Sequence, residues 1–284
     1  MKIDKLMNEW KKALCNDMDL TPVIEEIGTR KLLDILLDNV GNIDSLTREN
    51  VLNAFWVLAW NKPVLSHEEY IHALNTSLSD THLFKGIGGE EDDSAFWRSF
   101  ASNFAMWVIK ADVKQGFLSE EQYVLTLNKA IEYMVRERDR RGFVFGKGTV
   151  HAIPHGTGLI EACVEHPRFT NEFVPQILDM IKCCVIDKSS FGVDWADYGI
   201  AHMILPLLDK GVKEEAIKDW IENLLPKVEA VTYTDAHYPY VLMGSYIEHF
   251  LMFLYFELRK GSRNEGLREW VFDYISKLRQ KVYN

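Results

Sequence analysis

The segment from Glu137 to Gly156 concentrates the side chains that could carry out chemistry. Carboxylate, guanidinium and imidazole groups alternate there with glycines, whose backbone can bend sharply or approach a partner closely. The residues able to make directional polar contacts are Glu137, Asp139, Arg141, His151 and His155. We expect these side chains to converge in space, because two acids placed where a helix ends need compensation by nearby cations.

Three interpretations of this segment are open. The polar side chains could form a buried network that joins neighbouring helices. Alternatively, His151 and His155, spaced by four residues, could bind a divalent metal such as zinc from one face of a helix. Further ligands would then come from Asp194, Asp197 or His202. In the third interpretation, the glycine loop and the helix N-terminus that follows it hold an anionic ligand.

A further cationic candidate, Arg98, lies among aromatic residues in the sequence FWRSF. Its guanidinium group could contact a ligand, or it could stack on an aromatic ring inside the fold. We favour the stacking contact within the fold, because such contacts are common in protein interiors.

Helices must position these groups, because apolar residues recur every three or four positions along the chain. Ser66 with Glu69 forms one capping box, and Ser119 with Gln122 forms another. Each box predicts the start of a helix. The helix that begins after Ser119 should reach about Arg138.

Two further helix starts are predicted, one before and one after the glycine-rich loop at residues 142–148. Thr149 should cap a helix that follows this loop and runs to about Glu165. Asp93 or Ser94 should cap the aromatic-rich helix that precedes it in the chain. Strand patterns with alternating apolar and polar residues, and the turn signals of hairpins, are missing from the sequence.

About eleven helices joined by short loops predict an all-α fold. Helix pairs recur at about forty residues, a spacing typical of HEAT-like arrays. We therefore expect antiparallel helix pairs stacked as a short HEAT-like α-solenoid, with an α/α toroid or a helical bundle as the alternative. Because no low-complexity linker divides the chain, we expect a single helical domain over residues 1–284.

Composition restricts the partners and the compartment. The formal net charge of −10 disfavours nucleic acid as a partner. The longest apolar run, near Phe250 to Phe256, is too short to span a bilayer, so we expect no membrane partner. The charged amphipathic N-terminus differs from a signal peptide. Four cysteines without metal-binding or redox spacing predict free thiols and a cytoplasmic location.

Three motifs, RSF, ExDxRG and GKGxxHAxxHG, begin at Arg98, Glu137 and Gly146. Together they resemble an uncharacterised bacterial family, domain of unknown function twenty-seven eighty-five, whose members are helical and HEAT-like. The sequence departs from the family pattern at Thr149, where the family has Trp, and at Pro154, where it has Ala. The resemblance implies candidate ligand-binding residues at Arg98, Glu137, Asp139, Arg141, Lys147, His151 and His155.

The fold and the motifs predict a cytosolic helical-repeat protein that acts as a binding or scaffold module, engages a protein or a small-molecule ligand, and uses no cofactor. The alternative is a metal-dependent hydrolase-like enzyme centred on His151 and His155. In that case a divalent metal such as zinc would also be held by Asp194 and His202. The two hypotheses belong to different functional classes, and stoichiometric bound metal is expected under the second alone.

Overall fold

A computed structural model describes most of the chain, namely residues 1–89, 91–186, 196–225, 237–261 and 264–283. Helices dominate these ranges, as expected for an all-α fold. The contacts divide the chain into two compact units, Met1–Arg168 and Phe169–Asn284, here called unit 1 and unit 2. The single domain and the HEAT-like stacking of helix pairs stay predictions.

Eight α-helices form the framework of unit 1 in its described residues. They are α1 (Ile3–Leu14), α2 (Thr21–Ile27), α3 (Thr29–Leu37), α4 (Ser45–Trp56), α5 (His67–Ser77), α6 (Ser94–Gln115), α7 (Glu120–Arg136) and α8 (Ala152–Glu165). A π-helical turn at Val57–Asn61 continues α4.

Both predicted capping boxes are confirmed at the starts of α5 and α7. The Ser66 side chain accepts a hydrogen bond from the Glu69 backbone N–H, and the Glu69 carboxylate accepts one from the Ser66 N–H at 2.8 Å. Ser119 and Gln122 make the same reciprocal pair. Helix α7 ends at Arg136, two residues before the predicted position, because the backbone turns extended at the next residue.

Helix α8 packs against both α6 and α7, and this close packing determines where the polar side chains of the segment 137–156 lie in space. A Cβ atom at Gly156 would lie 2.4 Å from Met134 Sδ and 2.7 Å from a ring carbon of Tyr133. A larger residue there would push α8 away from α7. The rings of Phe55 and Phe104 stack with centroids 3.9 Å apart and join α4 to α6.

A short hairpin at residues 142–149 differs from the sequence prediction. Strand β1 (Phe143–Val144) pairs antiparallel with β2 (Gly148–Thr149), in the register Phe143 to Thr149. The turn is possible because Gly146 and Gly148 adopt φ values of 79° and 82°. Thr149 therefore ends a strand, and the prediction that it caps α8 was wrong, although α8 does end at Glu165.

Unit 2 begins with a short 3-10 helix at Asn171–Phe173. Its described α-helices are α9 (Val174–Ile186), α10 (Ala196–His202), α11 (Ile204–Asp209), α12 (Glu214–Glu222), α13 (His237–Lys260) and α14 (Glu265–Tyr283). Helix α13 is the centre of the unit, since it packs against α9, α10, α11 and α14.

Within the described residues, the segment Tyr240–Lys260 of α13 is the one stretch long and apolar enough to cross a membrane by length and composition. That is weak evidence, since a buried core helix passes the same test and 44% of the tested window is buried. The helix also carries charged side chains that are paired within unit 2. Glu248, for example, accepts a hydrogen bond of 2.7 Å from Arg279.

Candidate functional site

A buried ion pair joins the start of α6 to the end of α7. Arg98 donates two hydrogen bonds to the Glu137 carboxylate, at 2.6 and 2.9 Å, and both residues are buried. The remaining guanidinium nitrogen donates to the Lys85 carbonyl at 2.8 Å and to Ser94 Oγ at 2.6 Å. Burial alone would lower the pKa of Arg98, yet the hydrogen bonds and charge of Glu137 raise it. Each ion thus depends on the other for compensation.

The chain after α7 folds back on itself through hydrogen bonds between acidic side chains and the backbone N–H groups that follow them. The Asp139 N–H donates to Glu137 Oε1 at 2.9 Å. Arg141 then donates to Asp139 through its backbone N–H, at 2.9 Å, and through Nε, at 3.0 Å. Arg141 also donates to the Asp92 carbonyl at 2.7 Å. Both acids have the cationic partners that were expected, but the partner of Glu137 is the distant Arg98 and not a neighbouring arginine.

Two cations attach the 142–149 hairpin to the helices. Lys147 Nζ lies 2.7 and 2.8 Å from the Asp93 carboxylate oxygens, so Asp93 precedes α6 without capping it through its side chain. The fully buried Arg48 of α4 donates to the carbonyls of Lys147, at 2.6 Å, and Thr149, at 3.1 Å. The Thr149 hydroxyl donates to Glu49 at 3.0 Å. These contacts therefore fix both ends of strand β2, relative to α4 and to the residue that precedes α6.

The cation stacked among the aromatic residues of α6 belongs to Arg48. Its guanidinium carbon lies 4.1 Å from the ring centroid of Phe96 and 4.9 Å from that of Phe100. The sequence favoured Arg98 for this stacking contact, but the Arg98 guanidinium instead makes the ion pair with Glu137. Arg48 was missed. Its spacing from Val51 and Phe55, three and seven residues on, would have placed it on the buried face of α4.

The hairpin presents two phenylalanines to solvent. Phe145, at the turn, keeps 94% of its surface exposed, and Phe143 keeps 54%. Their rings meet edge to face with centroids 5.6 Å apart. A nearly fully exposed phenylalanine on a segment this firmly attached is unusual, because burial of such a side chain is favourable by about 1.5–3 kcal/mol.

Ser99, the residue after Arg98, binds the second histidine of the segment. Ser99 Oγ donates to the Val150 carbonyl, which has no hydrogen to offer. Because that bond uses the single hydroxyl hydrogen, the 2.9 Å contact between Ser99 Oγ and His155 Nδ1 must be donated by the imidazole. The hydrogen bonding thereby selects the neutral tautomer of His155 that carries its proton on Nδ1 and a lone pair on Nε2.

The surroundings of His155 oppose its protonation. Burial lowers its pKa to about 4, helped by the charges of His151 and Arg48 and opposed by a hydrogen bond to the Ser99 backbone. The ring also meets the Phe100 ring edge to face at 5.2 Å. His155 is consequently a neutral imidazole at physiological pH.

His151 precedes α8 and has a left-handed backbone, with φ of 52°. This conformation is uncommon for residues other than glycine and stores some strain. It turns the chain from β2 into α8, and the His151 ring meets that of His155 at 83° with centroids 5.7 Å apart. The two imidazoles are thus in contact, but His151 lies before α8, whereas the sequence predicted both histidines on one face of that helix.

The structure therefore arranges the expected residues around neighbouring positions of α6. Arg98 binds the acids that follow α7, and Ser99 binds the histidine of α8. Glu137 and Asp139 are linked through a backbone hydrogen bond, and His155 contacts His151 through its ring. Ser99 was missed by the sequence analysis, although it shares the buried face of α6 with Phe96. A ligand-binding role for these residues stays a prediction.

The proposed additional metal ligands have separate surroundings. Asp194 lies outside the described residues, and Asp197 is buried at the start of α10 in unit 2. His202 Nδ1 lies 2.8 Å from the Glu257 carboxylate, also in unit 2. In the part of the chain that the structure describes, no group of three or more His, Cys, Asp or Glu side chains could hold a metal ion.

The family model described as "Protein of unknown function (DUF2785)" matches residues 83–256. The chain belongs to this family. The DUF2785 match contains Arg98, the acids Glu137 and Asp139, the 142–149 hairpin and both histidines, and the resemblance to this family is confirmed. No curated protein and no solved structure matches the chain.

Proposed function

We propose that this DUF2785 protein is a binding module that docks on a protein partner through the 142–149 hairpin. The observation that carries the proposal is the 94% exposure of Phe145 at the turn of this hairpin. Aromatic side chains are enriched among the residues that contribute most to protein–protein affinity. Phe143, half-exposed and in edge contact with Phe145, enlarges the apolar surface.

The polar network supports this function by holding the hairpin in one conformation. Lys147 pairs with Asp93, and the buried Arg48 takes two carbonyls of the hairpin. At the other end, Arg141 is bound to Asp139 and through it to the Arg98–Glu137 pair. A segment ordered before binding loses less conformational entropy when it binds. The candidate residues of the sequence analysis thus position the docking surface and do not themselves contact the partner.

The exposure of Phe145 favours a protein partner over a small ligand. Small-molecule sites are concave and enclose most of the ligand surface. A side chain that keeps 94% of its surface exposed cannot enclose a small ligand. It is suited instead to insertion into an apolar cleft of a protein partner. The net charge of −10 disfavours an anionic lipid surface as the alternative occupant.

Site-specific photocrosslinking in the native host tests the proposal. A photoreactive phenylalanine analogue at position 145 should capture one discrete protein, whereas the same analogue at Phe272, also exposed, should not. The captured protein, once purified, should bind wild type and lose at least about tenfold affinity for Phe145→Ala, as expected for an interface anchor. The matched Phe272→Ala variant should bind as wild type does.

Three results would contradict the proposal. Equal capture at both positions would indicate random collision. Unchanged affinity of the purified partner for Phe145→Ala would remove the hairpin from the interface. Binding of wild type, but not Phe145→Ala, to lipid vesicles in place of a protein would assign the hairpin to a membrane surface.

A metal-dependent hydrolase-like function at His151 and His155 is the second candidate. One observation favours it: the hydrogen bond to Ser99 leaves the lone pair of His155 Nε2 available, as metal ligation requires. Untagged protein should then purify with near-stoichiometric zinc or another divalent metal, which His155→Ala should lose. Metal-free wild type that takes up no zinc on titration would exclude this candidate.

A further inference from the structure

Two more large apolar side chains are exposed at the start of α4. Leu46, in the first turn of that helix, keeps 61% of its surface exposed, and Ile43, just before the helix, keeps 51%. Both positions face solvent although burial of a leucine or isoleucine side chain is favourable. A single exposed leucine is ordinary, so the place of these residues in the fold decides whether they matter.

The start of α4 lies directly against strand β2 of the hairpin. A Cβ atom at Gly148 would lie 2.6 Å from the Cβ atom of Ser45, so these two residues are in contact. The Arg48 side chain joins the same two segments, because it donates to the Ile43 carbonyl at 3.3 Å and to two carbonyls of the hairpin. Ile43 and Leu46, on either side of Ser45 in the chain, therefore lie beside the hairpin.

A carboxylate connects the phenylalanines to these residues of α4. Phe143 is paired with Thr149 across the hairpin, so their side chains lie on one face. The Thr149 hydroxyl donates to Glu49 at 3.0 Å. Glu49 follows Leu46 by three residues, which makes the two side chains neighbours on the surface of α4. The exposed apolar side chains thus form one surface with Glu49 in its middle.

The charge of this surface favours a basic partner. Glu49 is partly exposed, and a hydrogen bond from a hydroxyl leaves the charge of its carboxylate in place. Arg48 attracts Glu49 electrostatically but is fully buried, so it cannot contact a partner. Lys147 is paired with Asp93. The net charge of −10 on the whole protein attracts cationic partners at longer range.

We propose that the docking surface extends from the hairpin onto the start of α4, and that its occupant is a protein segment with apolar side chains on either side of a lysine or arginine. The basic side chain pairs with Glu49, and the apolar side chains cover Phe143 and Leu46. This inference rests on the function proposed above and adds the chemistry of the partner. A second copy of the chain is disfavoured, because the two Glu49 carboxylates would repel each other.

Photocrosslinking from position 46 in the native host tests how far the surface extends. The photoreactive phenylalanine analogue at Leu46 should capture the same protein as the analogue at Phe145. The analogue at Leu125, which is exposed on α7, should not capture it. Mass spectrometry should place the two crosslinks in one segment of the partner, with a lysine or arginine close to them in sequence.

The mapped segment, synthesised as a peptide, is the probe for charge. Glu49→Gln keeps an acceptor for Thr149 but removes the charge, so it should weaken peptide binding about tenfold at low salt and reduce the salt dependence of the affinity. Leu46→Ala should weaken binding about tenfold at every salt concentration. Glu121→Gln and Leu125→Ala, matched changes at exposed positions of α7, should bind as wild type does. Circular dichroism confirms that each variant is folded.

The outcomes separate this inference from the proposed function. Capture from position 145 but not from position 46 would overturn the extended surface and leave the hairpin as the docking site. Capture from neither position, or from position 46 alone, would overturn both. A captured second copy of the chain, or a captured segment without a basic residue, would contradict the chemistry given for the partner. Equal losses of affinity in Glu49→Gln and Glu121→Gln would contradict it as well, since the effect would then come from net charge.

Discussion

Both units bury a carboxylate next to a helix end, but they surround it differently. In unit 1, the side chain of Glu137 is fully buried and that of its partner Arg98 is 4% exposed. In unit 2, the side chain of Glu257 is 2% exposed, whereas its partners Lys260 and His202 are 61% and 33% exposed. The first pair is closed off from solvent, and the second opens onto a pocket.

This difference separates two uses of a buried charge. An ion pair with both members buried is retained because each member would be costly alone, and it holds the segments that carry its members. A buried acid with exposed partners leaves those partners in contact with solvent. We therefore interpret the Arg98–Glu137 pair as the support of the hairpin and the Glu257 group as an ion pair that solvent can reach.

The largest effect should come from breaking the closed pair. Glu137→Gln leaves Arg98 charged and buried, which should lower the free energy of unfolding by about 3–5 kcal/mol. Denaturant unfolding followed by circular dichroism measures the loss. The double variant Arg98→Met with Glu137→Leu should recover part of the stability. A loss below about 1 kcal/mol, the value for exposed pairs, would show that this pair is not closed.

A second effect should appear in acid, because burial lowers the pKa of His155, whose Nδ1 meets a hydroxyl and not a carboxylate. The unfolded chain takes up the proton near its ordinary pKa, about 6.5, whereas the folded protein does so only near a pKa of about 4. Stability should thus be unaffected above the ordinary pKa and should fall between these values, by about 3 kcal/mol in total.

His155→Asn isolates this acid effect. Asparagine can still donate to Ser99 through its side-chain amide but does not titrate, so the variant should lose less stability on acidification than wild type. Burial lowers the pKa of His82 as well, so some acid sensitivity should remain. Identical pH profiles for wild type and His155→Asn would show that His155 is not held neutral.

Glu257→Gln should have a smaller effect than Glu137→Gln. Lys260 is exposed and can return to water, so the loss should be about 1–2 kcal/mol, the cost of altered hydrogen bonds. The same unfolding measurement on both variants makes the comparison direct. If Glu257→Gln costs as much as Glu137→Gln, the surroundings of Glu257 are a structural support and not an open site.

The smallest effect should follow the loss of a local hydrogen bond. Ser119→Ala removes the side-chain cap of α7 and should cost about 1 kcal/mol. It should leave photocrosslinking from position 145 unchanged, because the cap lies at the far end of α7 from the hairpin. Reduced crosslinking in Ser119→Ala would show that the hairpin responds to general stability and not to its own supports.

The sequence by itself determined the all-α class, both capping boxes, the end of α8 at Glu165 and the family. These features depend on interactions within a few residues. A serine and the residue three positions on meet in any helix that starts there. The spacing of His151 and His155 predicted neighbouring imidazoles, but it placed both in α8, whereas His151 precedes that helix with a left-handed backbone.

The tertiary structure alone determined which distant residues these helices bring into contact. Glu137 pairs with Arg98, 39 residues away, and Arg48 binds the carbonyl of Thr149, 101 residues away. The periodicity of apolar residues in the sequence does not predict such pairings, since they depend on how α4, α6 and α7 pack. The hairpin escaped prediction for the same reason. Its strands are two residues long and are stabilised by the buried Arg48 of α4, whereas sequence signals for strands reflect longer apolar alternation.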